Sequence, residues 1–215
     1  MNETTTLVIA TRNPGKTAEI KAILKGYPVL IKNLDDFGPI PEIEEDGTTF
    51  EENAYKKASF ASRVLGFTTL ADDSGLSVVA LNGEPGIHSA RFAGADATDE
   101  QRCRLLLEKL QNVTDRRATF ECVISVAIPT GQALTYHGRC EGVITETPSG
   151  KSGFGYDPIF FYPPANKTFA QMTPEEKNKV SHRGLALDEL KKEFDKVLEW
   201  ISLLMPIVPK SPCKR

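Results

Sequence analysis

The sequence is short of the residues from which metal centres and disulfide frameworks are built. It has three histidines, too few for a multi-histidine metal site. Its four cysteines (Cys103, Cys122, Cys140 and Cys213) include no Cys-x-x-Cys pair. That scatter disfavours both zinc spacing and a secreted disulfide framework, and leaves free thiols in a reducing cytosol as the expectation. No run of 18 apolar residues occurs, so neither a transmembrane helix nor a membrane partner is expected. Met1-Asn2-Glu3-Thr4 lacks the basic start and apolar core of a signal peptide, which again points to a cytoplasmic protein. An excess of basic charge is missing too: 26 Lys and Arg stand against 29 Asp and Glu, a net charge of −3. A nucleic acid polymer needs a broad basic surface and is not expected as a partner. A small anionic ligand in a local basic pocket remains compatible with that charge.

What is present is ordinary for a globular protein: 40% apolar and 26% charged residues in a chain of 215. Such a chain buries about 70% of its unfolded surface and needs no staples. Thr6–Ala10 is a short apolar run and reads as a buried strand, followed by a turn over Thr11–Gly15 and a helix over Lys16–Lys25. Val29–Ile31 reads as a second strand, and the acidic stretch Asp35–Thr48 as a loop. Thr49 with Glu52 predicts a capping box opening a helix to Leu65. Two short strands are expected at Thr68–Ala71 and Ser77–Leu81, separated by Asp72-Asp73-Ser74-Gly75. Thr98 with Gln101 opens another helix, to Leu110. Ala118–Ile128 and Ala133–Ile144 read as long paired strands, and Gly150–Tyr156 as a glycine-rich loop. Thr173-Pro174-Glu175-Glu176 is a helix start, and Leu190, Phe194, Val197, Leu198, Ile201 and Leu204 share one face of a last helix. The tail beyond Pro206 is expected to be disordered. The mixture implies an α/β fold with an antiparallel component.

Some of these strings can carry chemistry. Thr11-Arg12-Asn13-Pro14-Gly15-Lys16 lies between a strand and a helix, where free N–H groups and the helix dipole suit phosphate. It is not a Walker loop, because position 10 is Ala where that motif needs Gly; the competing reading is a plain turn with a surface lysine. Asp72-Asp73 ends an apolar strand, where carboxylates suit Mg²⁺. Neighbours on a strand face opposite sides, so both can serve one site only if the chain turns at Ser74-Gly75; otherwise they cap a turn. Glu42, Glu44, Glu45 and Asp46 form a charge run that is either a solvated face or the source of one metal ligand. Phe154-Gly155-Tyr156-Asp157 offers ring faces and an acceptor for a base ring N–H, or else a bulge with core aromatics. Lys177, His182 and Arg183 offer donors for phosphate and for a carbonyl, or else a solvated helix face.

Taken in order, Ala10–Lys16, Gly47–Ala54, Ala71–Leu76, Gly83–Arg91, Gly153–Pro158, Glu175–Asn178 and Ser181–Arg183 resemble the inosine/xanthosine triphosphate pyrophosphatases. The resemblance covers about residues 7 to 190. It implies an elongated mixed sheet with flanking helices in two lobes around a central cleft, one two-lobed domain over residues 1–205, and a homodimer. It implies Mg²⁺-dependent hydrolysis of ITP, dITP and XTP to a monophosphate and pyrophosphate. By the same resemblance Thr11, Arg12, Asn13, Pro14, Gly15 and Lys16 bind the triphosphate, and Lys57 is a further phosphate candidate. Glu44 and Asp73 hold the metal, and Asp73 is the catalytic aspartate. Ser74, Phe154, Gly155, Tyr156, Asp157, Lys177, His182 and Arg183 form the rest of the nucleotide pocket. A metal-bound carboxylate is a poor base, so Asp73 either accepts a proton or orients the attacking water. Donors from His182 or Arg183 would select a purine carbonyl over an amine. An enzyme acting on modified pyrimidine nucleotides and a non-catalytic nucleotide-binding module are the rival readings.

Overall fold

The computed structural model describes residues 4–41, 43 and 45–205. Apolar runs and capped helices assemble into one seven-stranded sheet in the order β2-β1-β3-β4-β5-β6-β7. Strands β1 (Thr5–Ile9), β2 (Val29–Asn33) and the start of β3 (Thr68–Val78) are parallel. From β3 onward, through β4 (Arg117–Ala127), β5 (Ala133–Ile144), β6 (Phe160–Tyr162) and β7 (Lys167–Thr168), every pairing is antiparallel. The helices are α1 (Pro14–Ile23), α2 (Phe50–Leu65), α3 (Asp99–Lys109), α4 (Pro174–Val180), α5 (His182–Lys192) and α6 (Phe194–Leu204). The expected α/β class with an antiparallel component is what the chain forms. Two apolar clusters lie at the two ends of the sheet. One joins β1 and β3–β5 to α1, α5 and α6; the other joins the far ends of β3–β5 to α3 and the 156–172 region.

Three expectations are corrected. Asp72-Asp73-Ser74-Gly75 is not a turn between two strands, because β3 runs unbroken through it and pairs with β4 from Thr69↔Ala127 to Val78↔Ala118. Asp, Ser and Gly favour turns locally, but an uninterrupted ladder against an apolar partner strand overrides that preference. The first helix begins at Pro14, not Lys16: Asn13 caps it by accepting from the Lys16 N–H at 3.1 Å. The last helix is two, α5 and α6, broken at Glu193 (φ −108°, ψ 4°). No Pro or Gly marks that break, and the apolar period runs through it. Residues 206–215, with the expected disordered tail, lie outside the described residues.

The register of β3 sets up the site. β1 pairs only with Thr68, Thr69 and Leu70, so β3 outruns it and has an open edge beside Asp72 and Asp73. The chain leaving β1 turns into α1 at that edge, which makes a crevice at the carboxyl end of a parallel strand, the usual place for a ligand in an open α/β sheet. Helix α5 reaches the crevice because Gly138 of β5 has no side chain: a Cβ there would stand 2.0 Å from the His182 carbonyl oxygen.

Candidate functional site: a cleft of two adjoining pockets

Alternation along β3 sends its two carboxylates to opposite faces. Asp72, buried on the α1/α5 face, receives Lys16 Nζ at 2.9 Å and the Arg183 Nε and Nη2, both at 3.1 Å. Asp73, buried on the α2 face, receives Lys57 Nζ at 2.8 Å and Asn53 Nδ2 at 3.3 Å. Asn53 and Lys57 are one turn apart on α2 and line up with Ala54, Ala58 and Ala61 on its buried face. Burial would raise the Asp72 carboxyl, but Lys16, Arg183 and Lys57 hold it well below the usual carboxylate range. For Asp73, burial wins over Lys57 and pushes the carboxyl up. Lys57 is held charged above its ordinary value, the loss of solvent being outweighed by Asp73, Asp72 and Glu45.

From Asp72 a chain of ion pairs crosses the cleft. Arg183 Nη1 reaches Glu19 at 2.6 Å, Glu19 receives Lys177 Nζ at 3.3 Å, and Lys177 reaches Asp157 at 2.6 Å. Lys177 Nζ also lies 4.6 Å from the Phe154 ring centroid. Asp157 takes the Phe154 N–H at 3.0 Å on the same oxygen that binds Lys177, which leaves Oδ1 for a ligand. Burial pushes the Asp157 carboxyl up against the pull of Lys177. His182 stacks on Phe120 at 4.5 Å, and its buried Nδ1 has no partner among the described residues. Burial, with Arg183 and Lys177 beside it, holds His182 well below its ordinary value and therefore neutral.

Most of the expected residues fall into two adjoining pockets; Asp73, the expected catalytic residue, lines neither, its carboxylate being turned to Lys57 and Asn53 of α2. Asn13, Ser74, Phe154, Gly155, Tyr156, Asp157, Lys177, His182 and Arg183 line the first, and Thr11, Arg12, Lys57 and Asp72 line the second; Lys16 lines both. Gly15 underlies the first pocket, where a Cβ would stand 2.9 Å from the Phe154 ring. Pro14 is exposed, lines neither pocket and serves as the first helical residue. Lys177 and Arg183 line the first pocket alone; Lys16, Lys57 and Arg12 are the cations that line the second, Lys16 paired there with Asp72 and Lys57 with Asp73 and Glu45. Four of the five N–H groups of Arg183 are engaged by Asp72, Glu19 and Ser74, which favours His182 for a purine carbonyl. The first turn of α1 is also less open than a free nest. Asn13 takes the Lys16 and Thr17 N–H groups and Pro14 has none, so Arg12 and Gly15 are the N–H donors left without a partner among the described residues.

Glu44 lies outside the described residues. Its neighbour Glu45 contacts Lys57 at 3.2 Å and accepts from Arg91 on its backbone oxygen at 3.3 Å. Sequence reasoning missed Glu19 and gave Asn53 no role of its own; Glu45 stood in the acidic run Glu42, Glu44, Glu45 and Asp46, from which the resemblance chose Glu44. The polar pair Asn53 and Lys57 on an otherwise alanine-lined helix face was a further signal; Glu19 carried none. A larger groove of about 1280 Å³ runs along the outside of α3, and of the expected site residues it shares Gly155 alone.

An aromatic, acid-bearing pocket is joined by Lys16 to a charged groove, both at a strand end of an open α/β sheet, the usual place for a ligand in that class of fold. The model of the Ham1 family matches residues 7–193, and the chain belongs to the Ham1 family. It is 61% identical over 195 residues to a dITP/XTP pyrophosphatase of Syntrophobacter fumaroxidans, covering 91% of this chain and 84% of that one. It is 51% identical to a dITP/XTP pyrophosphatase of Geobacter sulfurreducens, covering 87% of this chain and 95% of that one. The solved Ham1 protein of Coxiella burnetii superimposes with a TM-score of 0.83 at 42% identity, covering 89% of this chain and 99% of that one. That of Staphylococcus aureus gives 0.81 at 44% identity, covering 90% and 100%.

Proposed function

We propose that this protein hydrolyses deaminated purine nucleoside triphosphates (dITP, ITP and XTP) to the monophosphate and pyrophosphate. The observation that carries the reading is the shared Lys16: it joins a pocket that fits a purine to a groove that fits a polyphosphate. Phe154 offers its ring to the base, Asp157 Oδ1 an acceptor for a purine ring N–H, and His182 a partner for the carbonyl at position 6. An adenine, lacking both groups in that arrangement, leaves Asp157 and His182 unpaired, which is costly in a buried site.

Along the whole cleft, the ion pairs join five cations (Lys16, Lys57, Arg91, Lys177, Arg183) to five carboxylates (Glu19, Glu45, Asp72, Asp73, Asp157). The network is charge-balanced and has no surplus positive charge for a triphosphate, which suits a ligand that enters with a further cation. The acidic side chains offer the oxygens that Mg²⁺ takes, but among the described residues no group of three His, Cys, Asp or Glu side chains gathers closely enough to hold an ion, so the set is completed only with Glu44, which lies outside them. In this reading Asp73 and Glu44 hold Mg²⁺, which when bound neutralises charge on the phosphate oxygens. Lys57 and Asn53 fix the Asp73 carboxylate, and Asp73 orients the water that attacks the α-phosphorus. Thr11, Arg12, the Gly15 N–H and Lys16 hold the outer phosphates. Residues 1–205 work as one two-lobed unit, in a homodimer in the cytoplasm; among the described residues no helix is long and apolar enough to cross a membrane.

The test is pyrophosphate release, with Mg²⁺, from dITP, ITP, XTP, dATP, dGTP and a modified pyrimidine triphosphate. Release from the first three, lost in Asp73→Asn, is expected. Equal release from dATP, or preference for the pyrimidine, overturns the substrate assignment; no release from any supports the binding-module reading.

A further inference from the structure

Phe154 and Asp157 can recognise a base only if the loop that carries them is held still. The loop Gly153–Asp157 lies outside the helices and strands and has left-handed φ at Gly153 (81°) and Gly155 (62°). Its anchor comes from α3, on the far side of the cleft wall. Asp99 Oδ2 accepts the Gly155 N–H at 2.7 Å, and Cys103 Sγ donates to the Gly155 oxygen at 3.4 Å. Asp99 and Cys103 are one turn apart on α3, so a single helix face grips both polar groups of one residue. The helix is itself braced: Arg102 Nη1 donates to Ala90 O at 2.9 Å and Ala97 O at 2.6 Å, and its other nitrogen pairs with Asp99. Tyr156 OH donates to Ser89 O at 2.9 Å, so loop and helix are tied to the same segment. Asp99 and Gly155 line both the base pocket and the outer groove, which makes their hydrogen bond the partition between the two.

We propose that Asp99 is a positioning residue for base recognition, acting through the Gly155 peptide on Phe154 and Asp157. This rests on the proposed pyrophosphatase activity. A hydrogen bond to a charged acceptor corresponds to a loss of about tenfold when removed. In Asp99→Ala, kcat/KM for dITP falls about tenfold, mainly through KM, and the preference for dITP over dATP narrows. Competitive inhibition by inorganic triphosphate, which has no base, is unchanged. Asp99→Asn keeps an acceptor and retains most of the activity. Glu100→Ala removes an exposed acid from the same helical turn and changes neither quantity. Amide hydrogen exchange of the unsubstituted protein adds a readout independent of any variant's folding: the Gly155 N–H is protected.

An unchanged dITP preference in Asp99→Ala overturns the proposal. So does a loss in Asp99→Asn as large as in Asp99→Ala, a parallel weakening of triphosphate inhibition, or rapid exchange at Gly155. Absence of pyrophosphate release from the unsubstituted protein would instead overturn the activity, and the two failures are thereby distinct.

Discussion

Arg183 and Asp72, 111 residues apart in the chain, meet through two guanidinium hydrogen bonds of 3.1 Å each, with both side chains almost wholly buried. The contact ties the start of α5 to the middle of β3 and so fixes the first pocket of the cleft against the second. Arg183→Ala leaves Asp72 and Glu19 short of a buried cation, and breaking a buried pair from one side costs about 3–5 kcal/mol. Urea unfolding is expected to show a loss of that size. Arg183→Lys cannot reproduce the fork and should recover only part of it. A stability within 1 kcal/mol (roughly the worth of an exposed pair) of the parent would show that the pair is replaceable by water.

Lys57 is the cation on Asp73, and Asn53 the second donor. Lys57→Gln removes charge at the carboxylate proposed to orient water. Turnover of dITP should fall by about 10²-fold or more, the scale of losing one preorganised electrostatic group, with little change in KM. Steady-state kinetics check this; a rise in KM at unchanged kcat would place Lys57 in substrate binding alone.

Gly15 stands under the Phe154 ring. In Gly15→Ala the new Cβ would lie 2.9 Å from two ring carbons, so Phe154 must swing aside. The helix gains up to about 1 kcal/mol from alanine, and the ring is a side chain that can move. Stability should therefore hold or rise while kcat/KM for dITP falls by about tenfold or more, since small misplacements in a site are costly. Thermal unfolding and kinetics on one sample separate the two effects.

His182 is buried and neutral, with its folded pKa below the ordinary 6.5. Below pH 6.5 the unfolded chain binds a proton that the folded one refuses. The stability that this residue contributes is therefore full above that pH and is lost as pH falls through it. His182→Gln should flatten the slope of unfolding free energy between about pH 6.5 and 5. An identical slope in the variant would show that His182 titrates normally.

Chelation should abolish pyrophosphate release without unfolding the protein, because Asp72 and Asp73 each keep a lysine partner in the absence of a metal. Added Mg²⁺ should raise the unfolding temperature by mass action. Asp73→Asn should lose that rise; retention of it would remove Asp73 from the metal site.

Much of this was legible in the residues. Thr98 and Thr173 open α3 and α4 with full capping boxes, while Thr49 caps α2 by its own side chain and Glu52 reaches back to Thr48 instead of closing the expected box. The long apolar strands β4 and β5 fall within a residue of their expected bounds. The turn at Thr11–Asn13 and the loop Phe154–Asp157 both reach the cleft. The pairings were not legible. Nothing in the string Asp72-Asp73-Ser74-Gly75 says that a partner strand will hold it extended, and nothing in an α1 glutamate says that Glu19 will sit between Lys177 and Arg183.

The sequence by itself determined the element types, the family resemblance and which charged strings carry the chemistry, because caps, periodicity and motif order are local properties of the chain. Only the tertiary structure decided which charge meets which. It gave Lys177 the partners Asp157 and Glu19 and Arg183 the partners Asp72 and Glu19, where the sequence left them as donors or a solvated face, and it put Asp99 of α3 behind Gly155. Ion pairing and burial depend on distances between residues far apart in the chain, and those distances are set when the sheet closes its register, not before.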